Sequence, residues 1–225
     1  MVCRGVTLHD DLHDIGDLHE LGDDTPRHDC VPVLTDPCPS VESVSQRSAY
    51  VGIVARTGSA VAVAVTGSPR RPEFAGRWPI DLVPDDLPRQ PYHAAADAEP
   101  SDAEEVVHRV ERAATASAEE ALREVASTIR VAAVALLVKP MAPAPATVAQ
   151  VVRSHVAMHA AEGELYRDAL MSAAELLGVP VQAVTPDALP DAAEHVRALG
   201  VAAGRPWRRE EKDAARCALA AMTGS

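Results

Sequence analysis

From Tyr50 onward the order of apolar and polar positions marks out a succession of elements. Tyr50-Val-Gly-Ile-Val-Ala55 and Ala60-Val-Ala-Val-Ala-Val65 are β-prone and separated by Arg-Thr-Gly-Ser, which predicts an antiparallel hairpin. In the second strand the alternation places Val61, Val63 and Val65 on one face. A third strand is expected over 74 to 83, with Pro79 introducing an irregularity. From Ser101 the period lengthens to that of a helix. Ser101 and Glu104 have capping-box spacing, and Val106, Val110, Ala113, Leu122, Val125 and Ile129 form a stripe that should end near 128. Val131 to Val138 is a continuous apolar run, suited to an internal strand covered on both faces.

Residues 146 to 177 form the strongest helical pattern, stopped by Gly178. A short strand over 179 to 184 follows, and Thr185-Pro186 resembles an N-cap with proline at the first helical position. Weaker helical material runs from 187 to 199, and a terminal helix from about Trp207 to Met222. Three strands, helix, strand, helix, strand and two helices predict an α/β fold, a mixed sheet with helices on its faces.

The first 48 residues have no such pattern. They are rich in Asp, Gly and Pro and include HDDLHDIGDLHELGDD at 9 to 24, in which DLHDIG and DLHELG repeat. Ten acidic residues face three basic ones before position 51, so more than half of the net charge of −12 lies in less than a quarter of the chain. Residues 1 to 48 are therefore expected to be an acidic, disordered extension, and 49 to 225 a single domain. The acidity argues against long-range attraction to a phosphate backbone while leaving room for a local basic patch. Aromatic residues make up only 3% of the chain, so its core must rely on close packing of alanine and valine. Cys3, Cys30, Cys38 and Cys217 match no zinc-ligand spacing, and no apolar run has the length of a signal peptide or a membrane span. A soluble, cytoplasmic protein without membrane association is expected.

Within the 146 to 177 helix, His155, His159 and Glu162 share a side with Val148, Val152, Tyr166, Leu170, Ala173 and Leu177. Polar groups on a core-facing stripe need partners. Three readings fit: a hydrogen-bonded structural cluster, a catalytic or substrate-binding site in which Glu162 orients a histidine, or a metal site. Asp213, at the border of the terminal helix's apolar side, is either an ordinary solvated or paired carboxylate or part of a divalent-cation site. Arg70, Arg71 and Arg77 with Phe74 and Trp78 could hold phosphates and stack on unpaired bases, or simply cover a sheet edge.

The element order over about 50 to 222 resembles the ribonuclease H-like superfamily, in particular its RuvC-like branch of Holliday-junction resolvases. Ala173-Ala-Glu-Leu-Leu-Gly-Val-Pro-Val-Gln-Ala-Val-Thr-Pro186 looks like that family's passage from helix to fifth strand, and Lys212-Asp-Ala-Ala-Arg-Cys-Ala-Leu-Ala220 is similar to its final acidic helix. The resemblance implies a five-stranded mixed sheet and a carboxylate site that binds Mg2+ or Mn2+ for phosphodiester hydrolysis. Here the first-strand position reads Val54, the fourth-strand position falls near Lys139, and only Asp213 matches a family carboxylate. A noncatalytic or highly diverged module is therefore expected, without a cofactor, binding a protein or a branched or single-stranded nucleic acid. The alternative is a metal-dependent nuclease that draws on Asp81, Glu162, Glu164 and Asp213 as metal ligands, with His155 and His159 relocated into a working site.

Overall fold

The computed structural model describes residues 48 to 140 and 147 to 224. The repeated acidic segment and the expected 1 to 48 extension lie outside these, apart from Ser48 itself. Five strands, β1 (Ser48–Arg56), β2 (Ser59–Ser68), β3 (Arg71–Asp81), β4 (Arg130–Leu137) and β5 (Val181–Val184), form one sheet in the order β3-β2-β1-β4-β5. The first three strands pair antiparallel, whereas β4 runs parallel to both β1 and β5. This is the mixed α/β sheet expected from the apolar pattern.

The hairpin closes at Arg56↔Ser59, with Gly58 at φ +70, a conformation that glycine adopts without a Cβ penalty. Alternation then sorts the strands onto two faces. Val51, Ile53, Ala62 and Ala64 meet the helices α1 (Pro91–Asp97), α2 (Ala103–Thr128), α3 (Val148–Val151) and α4 (His155–Leu176). Val54, Val63 and Val65 meet α5 (Ala193–Ala203) and α6 (Arg209–Thr223) on the other side. The small-residue core has its most extreme expression there: a Cβ on Gly52 would lie 2.5 Å from Ala218 N and 2.9 Å from Ala214 C, so strand and helix backbones are in direct contact.

Several elements differ from expectation for local reasons. The irregularity in the β2–β3 ladder falls between Ala64 and Val65, not at Pro79, because β3 is an edge strand on which a missing N–H costs no ladder bond. The 146 to 177 helix is broken at 152 to 154. Thr147 caps α3, accepting from Gln150 N at 3.3 Å, and Ser154 caps α4, accepting from Ala157 N at 3.3 Å. The helix expected over 187 to 199 begins only at Ala193, after Pro190. Asp102 occupies the N-cap of α2 without a side-chain bond to the helix, and Ser101 donates instead to the Asp102 carboxylate at 3.0 Å. Finally, α1 starts with Pro91 at its first turn, where proline's fixed φ suits a helix, and the longer-range pattern hides it.

Candidate functional site

Parallel strands end together, and open sheets of this kind place ligands beyond the carboxyl ends of their strands. The register Ile53↔Leu136 brings the next residues, Val54 and Leu137, to that edge beside each other. They form the floor of a cleft of about 760 Å³, which α4 and the N-terminal half of α6 also line. Arg56, Arg89, Lys139, Arg167, Arg209 and Arg216 surround it.

The acidic groups here are already engaged. Arg56 meets Glu210 at 3.5 Å, Arg89 meets Asp81 at 3.5 Å, and Asp213 is shared by Arg209 at 3.6 Å and Arg216 at 3.8 Å. Arg216 also donates to the carbonyls of Pro190 at 3.1 Å and Leu189 at 3.4 Å. Six cationic side chains thus line a cleft to which Glu210 and Asp213 contribute the carboxylates, with Asp81 holding Arg89 from outside the lining; neither Lys139 nor Arg167 forms an ion pair among the described residues, although Arg167 lies near enough to Asp168 to act on its charge. The positive end of the α6 dipole adds to the same potential, since Arg209 and Glu210 lie in its first turn.

This donor set does not fit Mg2+ or Mn2+. Hard divalent ions require several oxygen ligands, and the strand ends offer Val54 and Leu137, with Lys139 and Arg216 adding repulsion. Of the expected metal carboxylates, Asp81 is largely exposed and paired with Arg89, Asp213 is bound by two arginines, and Glu162 is buried against histidines. Among the described residues, Asp81, Glu162, Glu164 and Asp213 do not form a converging group of metal ligands. Glu164 is half-buried; burial raises the pKa values of Tyr92 and Asp168, and the Glu164 charge adds to both shifts.

Further along α4 lies the second polar feature. Glu162 is buried on the core-facing side, and His155 and His159 project from the preceding turns. His93 Nδ1 lies 2.8 Å from Glu162 Oε1, and His159 Nδ1 lies 3.6 Å from Oε2. His93 Nε2 approaches His155 Nδ1 at 3.3 Å, and His155 Nε2 approaches His159 Nε2 at 3.1 Å. The structure therefore brings His155, His159 and Glu162 together, but Asp213 has its own partners in the cleft. One ligand atom from each of His93, His155 and His159 lies within 4.8 Å of the other two, the group of metal-ligand residues that converges among the described residues.

His93 belongs to α1 and was not anticipated as a site residue. Its local signal is weak, since Pro91-Tyr-His-Ala-Ala-Ala shows only a helix start. Beneath it, the Tyr166 hydroxyl donates to the Arg89 carbonyl at 2.6 Å, joining the cluster's neighbourhood to the cleft wall. Burial, followed by the Glu162 charge, raises the Tyr166 pKa far above the ordinary phenol range.

The arginine-aromatic segment on β3 is divided between the faces of the edge strand. Phe74 packs edge-on against Trp207 at 6.3 Å between ring centres, and Arg77 donates to the Pro206 carbonyl. Trp78 belongs to the opposite face, where it packs over Gly76 and against the main core. Arg70, in the preceding turn, and Arg71, at the start of β3, remain exposed. Cys217 is fully buried, and desolvation pushes its thiol up to about 12, as befits a core side chain.

No family model matches the chain, and no curated protein matches it. Among solved structures, Thermus thermophilus RuvC in complex with a Holliday junction substrate aligns with a TM-score of 0.50 at 18% identity. That alignment covers 79% of this chain and 96% of RuvC. A second Thermus thermophilus RuvC structure shows 20% identity over 78% of this chain and 96% of that one, with a TM-score of 0.44. Among the described residues, no helix is long and apolar enough to cross a membrane. The chain therefore has a RuvC-type, ribonuclease H-like fold in which, among the described residues, three histidines rather than a set of aspartates and glutamates form the convergent group of metal-ligand residues.

Proposed function

We propose that this chain is a noncatalytic ribonuclease H-like module that holds a nucleic-acid backbone in the cleft at the ends of β1 and β4. A single observation carries the reading: where metal-binding carboxylates would have to stand, the cleft has Val54 and Leu137 beneath a surplus of cationic side chains. Phosphates lying along that surface would be met by Lys139 and Arg167 without displacing an internal ion pair. The net charge of −12 keeps non-specific attraction low, so binding depends on this local field. The neighbouring RuvC structure, which contains a Holliday junction, supports branched DNA as the first ligand to try.

The test is fluorescence anisotropy of labelled four-way junction, duplex and single-stranded DNA over a range of salt concentrations. Binding should weaken with salt. Replacing both Lys139 and Arg167 with glutamine should lower the log-log salt slope by about 2 on duplex arms, roughly one counterion per lost phosphate contact. Folded protein that binds none of these at low salt, or a double variant with an unchanged slope, would rule out the cleft as the binding surface. Incubation of the bound DNA with Mg2+ or Mn2+ should leave it intact. Cleavage that disappears on Asp213→Asn would instead establish the nuclease alternative.

A further inference from the structure

Independently of the nucleic-acid reading, we propose that His93, His155 and His159 bind one borderline transition-metal cation of the Zn2+ class, with Glu162 as the carboxylate that orients His93. A tetrahedral cation with metal–nitrogen bonds of about 2.0–2.1 Å separates its ligand nitrogens by about 3.3 Å. The His93–His155 and His155–His159 nitrogen pairs lie at 3.3 and 3.1 Å, close to that edge length. His155 faces one neighbour with each ring nitrogen. Because it is exposed on the first turn of α4, a rotation of its ring can present one of them to a shared ion.

Glu162 supplies the second, independent indication. Its side chain is 2% exposed, yet Oε2 has no hydrogen-bond partner, and His159 Nδ1 stands off from it at 3.6 Å. An ionised carboxylate only accepts, so the 2.8 Å contact with Oε1 requires the proton on His93 Nδ1. In the neutral ring, His93 Nε2 then carries a lone pair directed toward the other two imidazoles. Histidine whose far nitrogen is held by a carboxylate is the usual arrangement behind a metal ligand. Three imidazoles favour Zn2+, Co2+, Ni2+ or Cu2+ over Mg2+ or Ca2+, which take oxygen.

The ion would also have a mechanical effect. α1 has seven residues, held by the buried Pro91 and Ala95, by the half-buried Tyr92 and by the His93–Glu162 contact, and the ion would add further links from His93 to α4. With three protein ligands and two exposed histidines, a fourth position would open to solvent.

The full chain also contains His9, His13, His19 and His28, which can capture metal by themselves. The experiment therefore compares the natural sequence with a variant in which those four are asparagine. Zn2+ is titrated calorimetrically into each, and Co2+ is followed by its visible absorption. One equivalent with tetrahedral Co2+ bands should persist in the N-terminal variant and raise its Tm. It should vanish on adding His93→Asn with His159→Gln. Glu162→Gln, which keeps size and shape, should weaken it about 10- to 100-fold. Binding that disappears with the N-terminal histidines, or survives the His93 and His159 changes, would overturn the proposal. X-ray absorption of the Zn2+-loaded N-terminal variant needs no cluster mutation: about three imidazoles support the site, and fewer than two overturn it.

Discussion

Gly52→Ala offers a direct test of the packing that sets the cleft. The added methyl would point from β1 into α6, 2.5 Å from Ala218 N and closer still to the Ala214 carbonyl oxygen. Both are backbone atoms of a buried helix, so no side-chain rotation relieves the clash. Restoring an ordinary contact of about 3.4 Å requires α6 to withdraw by roughly 1 Å from Ala218 N and further to clear the Ala214 carbonyl, and a gap of that size forfeits about half or more of each neighbouring van der Waals contact. Ala214, Ala215, Cys217 and Ala218 are all fully buried along that helix, so the loss spreads over its length. Overpacking of this kind typically costs about 1–3 kcal/mol, and the backbone-on-backbone geometry places this case near the top. For a domain of this size, about 3 kcal/mol lowers Tm by roughly 6–12 °C. Thermal and urea unfolding followed by far-UV circular dichroism would measure the change. Since Asp213 and Arg216 ride on α6, nucleic-acid binding should fall together with stability. A decrease in Tm under about 2 °C would show that α6 is not held against the backbone of β1 as described.

Two further predictions concern α4 and the core beneath the cleft. Gly163→Ala places its Cβ no nearer than 3.9 Å to the Arg167 guanidinium, so helix propensity decides, and stability should rise by about 0.8–1 kcal/mol with an unchanged urea m-value. The reverse sign would reveal strain at that turn. Burial raises the pKa values of both Tyr166 and Cys217, so in each case the unfolded chain loses its proton at lower pH than the folded one. Their contributions are present in full below about pH 8.5, the ordinary thiol value, and fade as pH rises, for Cys217 up to about 12 and for Tyr166 from about 10 upward. Unfolding free energy measured from pH 7 to 11 should decline accordingly, and Cys217→Ala should flatten the first part of the decline. An identical slope in that variant would refute the assignment to Cys217.

The legible parts of the fold are those decided over short distances. The Thr57-Gly58 turn and the valine alternation specify the hairpin, and the β4 run needs only its own sequence to read as a covered strand. The 152 to 154 break was missed because Val148 and Val152 continue the apolar stripe through it, while the caps at Thr147 and Ser154 act on only a few N–H groups. The site was legible by halves. His155, His159 and Glu162 stand out as polar residues on an apolar stripe, yet His93 lies 62 residues earlier than His155 on a helix of seven residues. The arginine-aromatic run on β3 illustrates the opposite error. Its closeness in sequence suggested one surface, but the bulge opposite Ala64 and Val65 gives β3 an extra residue and reverses the alternation, so that Phe74 and Trp78, which regular pleating would place together, lie on opposite faces.

By itself, the sequence determined the α/β class, the hairpin and the covered strand, since each depends on residue identity and local period. Which charges would meet was decided by tertiary structure alone. Arg56, Arg89, Lys139, Arg167, Arg209 and Arg216 come from separate elements, and only the shared end of two parallel strands gathers them. Likewise, Glu162 acquires its meaning from α1 packing over α4, which buries a carboxylate beside three imidazoles. Electrostatic energy depends on separations through space and on exclusion of water, and neither quantity is a function of distance along the chain.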